Sequence, residues 1–313
     1  MRQLVALAKE YLSYLKYWPY VLDVMRSAYV NWPQVVASLM IRDAAVGRAR
    51  DGTSWKGDFG ELFSYAKLVA HAGCGVVAAS QDTVELWCHG RDVDVKLLKI
   101  FGWRGTDLFT AIADYKGMLG PSIRGKSVLD VGAYVGDSSI LFAAMGARRV
   151  VAVEPSPWAY SVARKNVEAN GLGDAIELVN CAVAREDGKT LMLPSSEIEI
   201  SFAALSATGG DVPIPTCTLD SLIERYGPFD VMKMDCEGCE HDSIPYSRRI
   251  GEVKEVLVEY HGGYEDIERK LREEGFEVLF SRFLFSPKLY KKAASPQLVN
   301  SNQGYIFAFK RPS

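Results

Sequence analysis

The chain has 313 residues, 48% of them hydrophobic, which is enough to bury a substantial core in one or two domains. Its formal net charge is −3 and its pI is about 5.9, whereas nucleic-acid-binding proteins usually show a basic balance or a basic stripe. These values argue against DNA as a partner and disfavour a large RNA substrate.

The N-terminus predicts neither a cleaved leader nor a membrane span. Lys9, Glu10 and Lys16 interrupt the first apolar run earlier than the core of a signal peptide allows. No stretch reaches the length of about 18 apolar residues that a transmembrane helix needs. We therefore expect a cytoplasmic protein.

Residues 1–120 are predicted to form an accessory region of helices and β-hairpins. Apolar residues at three- and four-residue steps predict helices over residues 1–50, broken near Pro19 and Pro33. We expect their apolar stripe to pack on its own domain, with peripheral contact to a membrane or a partner as the alternative. Residues 50–58 are expected to form a loop, followed by a helix to about His71, by short alternating strands (VVAAS, TVELWCH, DVDVKLL) and by a helix over DLFTAIADYKGML.

Residues 121–313 show a different sequence pattern, because predicted strands and helices alternate from Ser127 onward. This pattern predicts an α/β domain with a mainly parallel sheet covered by helices on both faces. The helix after the second strand is the best marked, with Ser156 as N-cap, Pro157 at its first position and Gly171 after its end. The main strands are expected in SVLDVGA, RVVAVEP, AIELVNCAV, FDVMKMD, EVLVEYH, FEVLFSR and GYIFAFK.

The strongest local motif is the segment DVGAYVGD, from Asp130 to Asp137, which connects a strand to a helix. Glycine lets the backbone bend tightly and approach a ligand closely, although a purely structural turn is the alternative. The spacing G-x-x-x-G lacks the middle glycine of the dinucleotide fingerprint, where Ala133 and Tyr134 stand. This disfavours an NAD-dependent oxidoreductase and fits S-adenosylmethionine, which has no phosphates.

Glu154 ends the next predicted strand, about 20 residues after the glycine loop. An acidic side chain at that place can accept hydrogen bonds from ribose hydroxyls. An isolated acid is more often an ordinary surface residue. Together, the loop and Glu154 predict a cofactor that carries adenosine.

Lys233 and Glu259 are charged residues inside otherwise apolar strands. Burial of either charge alone would be costly, so we expect each to find a partner, with pairing to each other as one option. Asp235 and Glu237 follow the first of these strands, and His261 ends the other. We therefore expect all three at the same rim of the sheet.

These residue types suit methyl transfer to a hydroxyl, whose proton must be withdrawn by a carboxylate or a histidine. His261 is the first candidate base because its unperturbed pKa lies near neutrality, and Asp235 is the second. A structural role for the histidine is the alternative. The candidate catalytic residues are His261, Asp235, Glu237, Lys233 and Glu259.

The six cysteines give no metal-binding pattern, and no metal is expected. Cys236 and Cys239 form a single CxxC, which we expect to be a disulfide or simple packing, because zinc would need two further ligands and only His241 and His261 are near. The other four, Cys74, Cys88, Cys181 and Cys217, are expected to be buried small hydrophobes.

The succession VLDVGAYVGDSSILFA, VVAVEPSPWAY, KNVEAN, CTLDSL, KMDCEG and VEYH resembles the FkbM family of S-adenosylmethionine-dependent methyltransferases, over about residues 126–282. The resemblance is strongest to archaeal-type members that carry CEGCE and EYH. It implies a Rossmann-like class I sheet with strand order 3-2-1-4-5-7-6 and an antiparallel seventh strand. Tyr134 departs from the Asn that usually follows the first strand in this family.

The resemblance also implies roles for individual residues. The S-adenosylmethionine pocket would be shaped by the loop after the first strand, the ribose held by the acid after the second strand, and the adenine approached by the segment after the third. The implied cofactor-binding residues are Asp130, Gly132, Ala133, Tyr134, Gly136, Asp137, Glu154, Pro155, Asn180, Cys181, Ala182 and Asp235.

The family is associated with O-methylation, so a hydroxyl of a sugar, glycan, lipid or other small molecule is the expected acceptor. An RNA methyltransferase is the nearest alternative, since RNA enzymes share the first two motifs. An NPPY-like tetrapeptide, frequent in base-modifying enzymes, is replaced here by Asp235-Cys-Glu-Gly238. A non-catalytic scaffold that keeps the fold is the alternative of another class.

Overall fold

The structure is a computed structural model, and its elements are given for the part of the chain that it describes. The described residues are 18–41, 44–50, 52–80, 82–88, 97–102, 108, 112–113, 115, 123–195, 210–281 and 303–311. The chain divides into two compact units, one of residues 1–75 with 104–113 and one of residues 76–103 with 114–313. The boundary predicted at residue 120 for a separate methyltransferase domain stays a prediction.

The first unit contains helices α1 (Trp18–Ala28) and α2 (Trp32–Ile41), each beginning one residue before a proline. Proline is tolerated in a first helical turn because the N–H it lacks has no helical acceptor there. The helix break predicted near Pro33 is therefore confirmed, whereas the residues that would test a break near Pro19 lie outside the described part of the chain. The apolar stripe predicted before Trp18 lies outside the described residues.

The expectation of a loop over residues 50–58 is wrong in part. Strands β1 (Ala45–Arg48) and β2 (Ser54–Gly57) pair as an antiparallel hairpin. Helix α3 (Phe59–Lys67) then begins with a capping box, in which Asp58 and Glu61 each accept a hydrogen bond from the other's backbone N–H at 2.9 Å. A π-helical turn continues it to Ala72, so the helix predicted to about His71 is confirmed.

A small three-stranded sheet consists of β3 (Cys74–Ala79), β4 (Thr83–Cys88) and β5 (Leu97–Phe101), of which β4 and β5 pair antiparallel and lie in the second unit. The predicted short alternating strands are thus confirmed within the described residues. The helix predicted over residues 107–119 lies mostly outside them.

The central sheet is built from segments buried on both faces, as expected for parallel strands covered by helices. Its order is β14-β15-β13-β12-β6-β7-β8, with the contacts of β15 antiparallel. In chain order of these strands this is 3-2-1-4-5-7-6 read from the other edge, so the predicted class I methyltransferase sheet is confirmed. The strands are β6 (Ser127–Val131), β7 (Arg149–Val153), β8 (Ile176–Val179), β12 (Val231–Met234), β13 (Glu255–His261), β14 (Glu277–Ser281) and β15 (Gln303–Phe309).

The helix predicted after the second strand is confirmed, and further helices follow β6 and β13. Buried side chains of α6 and α8 share one core cluster with those of β12 and β13. The N-cap predicted at Ser156 is confirmed, because its side chain accepts a hydrogen bond from the N–H of Ala159. The helices are α4 (Asp137–Ala144), α5 (Pro157–Ala169), α6 (Leu219–Tyr226), α7 (Cys239–Ser243) and α8 (Glu265–Glu273).

Helix α5 joins the small sheet to the central one through two asparagine side chains. Asn166 accepts from Phe101 N at 2.7 Å and donates to Phe101 O at 3.0 Å, and Asn170 bonds Lys99 N and O in the same way. These side-chain amides form hydrogen bonds with backbone N–H and C=O groups at the open edge of β5, as a neighbouring strand would. The small sheet is therefore fixed against the loop that follows β6, since Asn166 also donates to Val135 O at 2.8 Å.

A third, three-stranded sheet of β10 (Thr190–Leu193), β11 (Val212–Cys217) and β9 (Ala182–Val183) follows β8. Cys181 and Cys217 form a disulfide beside it. All six cysteines, which lie within the described residues, are disulfide-bonded. The expectation that four of them are plain buried hydrophobes is therefore wrong, because separation along the chain gave no sign of their proximity in space.

Among the helices of the described residues, none is long and apolar enough to span a lipid bilayer.

Gly132 is the glycine that the fold constrains most tightly. Its φ is +75°, and a Cβ atom there would lie 1.7 Å from the carbonyl oxygen of Asp235. We expect Gly132→Ala to lower the free energy of unfolding by about 3 kcal/mol or more, from the left-handed backbone and the backbone clash together. Urea unfolding of the purified protein measures this change.

Gly171 is the matched control, because it also has a positive φ (+65°) but nothing within 4 Å of the added Cβ. Gly171→Ala should lower the free energy of unfolding only by the cost of holding alanine in a left-handed backbone conformation, about 1–2 kcal/mol. Equal losses for the two variants would contradict the close approach between the β6 and β12 loops.

Candidate functional site

The predicted site residues meet at the carboxyl ends of β6, β7, β8, β12 and β13, where ligands of open α/β sheets bind. The loop after β6 folds back against β7. Gly132 N and Ala133 N both donate to Val153 O, at 3.0 and 3.1 Å. Gly136 has φ +82° and starts α4 as its N-cap, with Ala163 of α5 close behind it. A side chain at either glycine would fill the space through which this loop turns.

Tyr134 adopts φ +46°, in the left-handed region, where Asn is several-fold enriched among non-glycine residues. An Asn would adopt this backbone conformation more readily than a Tyr. Tyr134 bears a conformational cost of about 1 kcal/mol or more in its place. Its ring lies 5.9 Å from that of Trp158.

Asp130 is completely buried beneath the glycine loop. Its Oδ2 accepts hydrogen bonds from Ser138 Oγ at 2.7 Å and from Ser139 Oγ at 2.6 Å. Its Oδ1 lies 3.2 Å from Lys233 Nζ. Asp130 therefore fixes the start of the helix after the loop and the Lys233 side chain of the neighbouring strand.

Lys233 pairs with Asp130. The option that Lys233 and Glu259 pair with each other is therefore wrong. The ammonium group also donates to Gly132 O at 2.8 Å and lies 5.1 Å from the ring of Tyr115. Burial lowers the pKa of Lys233, but the charges of Asp130, Asp235 and Asp137 outweigh it, so the pKa is raised and the group stays charged. Glu259 is also buried, opposite Tyr305 in the β13–β15 ladder.

Glu154 lies at the end of β7 and receives two backbone donors. Tyr134 N donates to Oε2 at 2.9 Å and Ser156 N to Oε1 at 2.8 Å. Burial raises the pKa of this carboxyl to about 7, in spite of both hydrogen bonds. Burial likewise raises the pKa of Asp137 to about 6.

The segment after β8 reaches the same edge of the sheet. Asn180 Nδ2 donates to the carbonyl oxygens of Glu154 and Pro155, at 2.7 and 3.2 Å. Cys181 is buried in its disulfide, and Ala182 begins β9. The residues predicted to approach the adenine thus adjoin the acid predicted to hold the ribose.

Asp235 follows β12, and its carboxylate is fixed by a residue that the sequence did not reveal. Tyr115 Oη donates to Asp235 Oδ2 at 2.7 Å. Tyr115 is buried, which raises the pKa of its phenol well above the usual value. It lies 120 residues away in the predicted accessory region, so no motif or spacing pointed to it.

His261 ends β13 and is held by Glu240, a second residue missed from the sequence. Glu240 Oε1 accepts from His261 N at 2.7 Å and lies 3.2 Å from His261 Nδ1, while Oε2 accepts from Gly238 N at 2.9 Å. Glu240 is fully buried. Its sequence signal was its place as the last residue of CEGCE, a segment that carries the resemblance to archaeal-type members but had given it no role.

The electrostatics around His261 differ from the near-neutral pKa expected from the sequence. Burial lowers its pKa, but the hydrogen bond to Glu240 and the charges of Glu237, Glu240 and Asp235 raise it to about 9. The imidazole is therefore protonated at neutral pH. A protonated imidazole donates hydrogen bonds and must lose its proton before it can accept one.

Cys236 and Cys239 form a disulfide, one of the two outcomes expected for the CxxC. Glu237 lies between them with φ +56°, a second non-glycine residue in the left-handed region. Its Oε1 is 3.7 Å from His261 Nε2. One ligand-type atom each from Asp235, Glu237 and His261 lies within 4.8 Å of the others. The structure thus brings together the three rim residues predicted from the sequence.

Comparison with known proteins gives one family and several structures. Residues 130–278 match the family model of the methyltransferase FkbM domain. A ribosomal protein L11 methylase from Lactobacillus delbrueckii subsp. bulgaricus is 18% identical, with 64% of this chain and 79% of that chain covered and a TM-score of 0.38. A SAM-dependent methyltransferase from Agrobacterium tumefaciens is 14% identical, with 89% and 80% covered and a TM-score of 0.41.

A precorrin-6y C5,15-methyltransferase from Geobacter metallireducens is 13% identical, with 60% of this chain and 81% of that chain covered and a TM-score of 0.36. The matched family segment begins at Asp130, the first residue of the glycine-loop motif, and ends within β14. It contains the glycine loop, Glu154 and the Asp235–His261 rim. Residues 130–278 are therefore a methyltransferase FkbM domain, carried on a Rossmann-like class I methyltransferase sheet.

Proposed function

We propose that this chain transfers the methyl group of S-adenosylmethionine to a hydroxyl oxygen of a sugar, glycan, lipid or other small molecule. The observation that carries the proposal is the position of Asp235, Glu237 and His261 at the same edge of the sheet as the glycine loop and Glu154. Cofactor elements and proton-handling side chains are thereby neighbours, as group transfer requires.

The cofactor side of the site is the backbone of the 132–136 loop together with Glu154 and Asn180. A carboxylate oxygen has room for more than one hydrogen bond, so Glu154 can keep its two backbone donors and still accept from ribose hydroxyls. Because the site contains no cluster of basic side chains among the described residues, its charge also suits a cationic sulfonium better than a pyrophosphate. These features support S-adenosylmethionine as the cofactor.

In the proposed reaction, a lone pair of the acceptor oxygen forms a bond to the methyl carbon. The bond from that carbon to sulfur breaks, its electron pair stays on sulfur, and S-adenosylhomocysteine leaves. The hydroxyl proton passes to the rim, where the candidates are Asp235 and, once its imidazole has lost its own proton, His261. Lys233 is a positioning residue, since it is buried and bonds Asp130 and the Gly132 carbonyl.

A cytoplasmic location belongs to the same proposal. It requires a cytosol in which disulfides persist, because all six cysteines are disulfide-bonded and most cytosols keep thiols reduced. Peripheral membrane contact through the N-terminal helices stays a prediction, since residues 1–17 lie outside the described residues.

The pKa of Glu154 predicts the pH dependence of cofactor binding. With a pKa of about 7, the ionised fraction rises with pH, and about one tenth is ionised at pH 6. If the ionised form binds the ribose, the apparent Kd for S-adenosylmethionine at pH 6 should be roughly tenfold higher than at pH 8.5. Calorimetric titration across this range measures the change.

Glu154→Gln supplies the control for that titration. The amide cannot ionise, so the variant should bind more weakly at every pH and lose the pH dependence. A wild-type affinity or an unchanged pH profile in Glu154→Gln would remove Glu154 from the ribose site.

Asp235→Asn tests the rim while keeping the shape of the side chain and an acceptor for Tyr115. We expect kcat to fall about 100-fold or more, because proton transfer by a positioned side chain contributes that much, while Kd for S-adenosylmethionine changes little. His261→Ala should likewise lower kcat while it changes the Kd for S-adenosylmethionine little. A variant with wild-type turnover would exclude its residue from the reaction.

The acceptor class is tested by transfer of labelled methyl from S-adenosylmethionine into fractionated cell extract. Label in the glycan, lipid or small-molecule fraction is the expected result, and the Asp235→Asn protein is the control. Label that appears only in RNA would overturn the hydroxyl acceptor while leaving the cofactor in place.

A further inference from the structure

Asp235, Glu237 and His261 present two carboxylates and one imidazole to a common point, although the sequence predicted no metal. Their ligand-type atoms lie within 4.8 Å of one another, and Glu237 Oε1 is 3.7 Å from His261 Nε2. Ligands held about 2.1–2.2 Å from a cation are roughly 3 Å apart when adjacent and about 4.3 Å apart when opposite. An adjacent pair at the full 4.8 Å would need to close by about 1.8 Å to bind an ion, or about 1 Å for each of the two side chains.

The orientation of His261 gives a second and independent indication. The buried carboxylate of Glu240 can only accept, so its contact with Nδ1 assigns the hydrogen to that nitrogen and directs Nε2 toward the cluster. Histidine ligands of metals are commonly held in this way by a carboxylate behind the ring. Here the holding residue is fixed in turn by the backbone N–H groups of Gly238 and His261.

The Nε2 atom itself is shielded from solvent and has no hydrogen-bond partner within the described part of the chain. A buried polar atom left without a hydrogen bond destabilises the fold. A cation at the cluster would remove that cost, because it would take the place of a proton on Nε2. Asp235 is already fixed for such a role by the hydroxyl of Tyr115.

From these observations we infer that Asp235, Glu237 and His261 form a binding site for a divalent cation of the Mg²⁺ or Mn²⁺ class. Carboxylate oxygens suit both ions, and the imidazole favours Mn²⁺ somewhat more. Three protein ligands leave about three positions of an octahedral ion open. An acceptor with two adjacent oxygens, such as a vicinal diol, would occupy two of them.

The role of this cation, though not its binding, rests on the proposed hydroxyl methylation. With the ion bound, Asp235 and His261 would be its ligands and would not accept the proton directly. A hydroxyl oxygen bound to the ion would have a lowered pKa, and its proton would leave to solvent as the oxygen–methyl bond forms. The rim would then activate the acceptor through the ion. The substrate class narrows accordingly to compounds with neighbouring oxygen atoms.

Direct Mn²⁺ binding tests the site without any need for turnover. Electron paramagnetic resonance of free Mn²⁺ during titration of the full chain should show one bound ion per chain. Glu237→Gln, at an exposed residue, should weaken binding at least about tenfold. Glu168→Gln, at an exposed position on α5, should leave binding unchanged.

The outcomes separate this inference from the proposed function. Absence of stoichiometric Mn²⁺ binding in the wild type, or equal binding in Glu237→Gln, would overturn the cation site. Methyl transfer that continues at full rate in EDTA would overturn the role of the ion in the reaction. Stoichiometric Mn²⁺ binding without methylation of any hydroxyl acceptor would support the cation site and refute the proposed function. Circular dichroism of each variant verifies that the fold is retained.

Discussion

The ion pair between Lys233 and Asp130 is the interaction on which the rest of the site depends. The two residues are direct neighbours in the pairing of β12 with β6, and both are buried. Isolated, each charge would cost several kcal/mol to bury, so the pair persists only with further hydrogen bonds. Ser138, Ser139 and the Gly132 carbonyl supply them. The start of α4 and the glycine loop are thereby tied to the strand that ends in Asp235.

The loops after β6 and β12 are packed so closely that side-chain size and backbone conformation limit which residues can stand in them. Gly132 has no room for a Cβ against the Asp235 carbonyl, and Tyr134 and Glu237 adopt left-handed conformations that cost them free energy. Strain of this kind persists only where the surrounding structure enforces it. The two strained residues lie in the two loops that we assign to the cofactor and to the acceptor.

Around the rim, negative charge is concentrated and then balanced locally. Glu240 is buried behind His261, while Asp235 and Glu237 lie on its other side. A proton on the imidazole offsets part of this charge, and a divalent cation would offset more of it. The same arrangement therefore accounts for the raised pKa of His261 and for the affinity that we infer for a metal ion.

The sequence by itself determined the order of strands and helices in residues 121–313 and the family, because buried parallel strands, helix caps and glycine turns have local signatures. It also placed Asp235, Glu237 and His261 at one rim, since the ends of parallel strands meet. Only the tertiary structure decided that Lys233 pairs with Asp130, that Tyr115 holds Asp235, that Glu240 holds His261 and that Cys181 bonds Cys217. Most of these contacts join residues that are distant along the chain, and strand register decides which of their side chains face each other. Local sequence patterns encode neither the distant pairing nor the register.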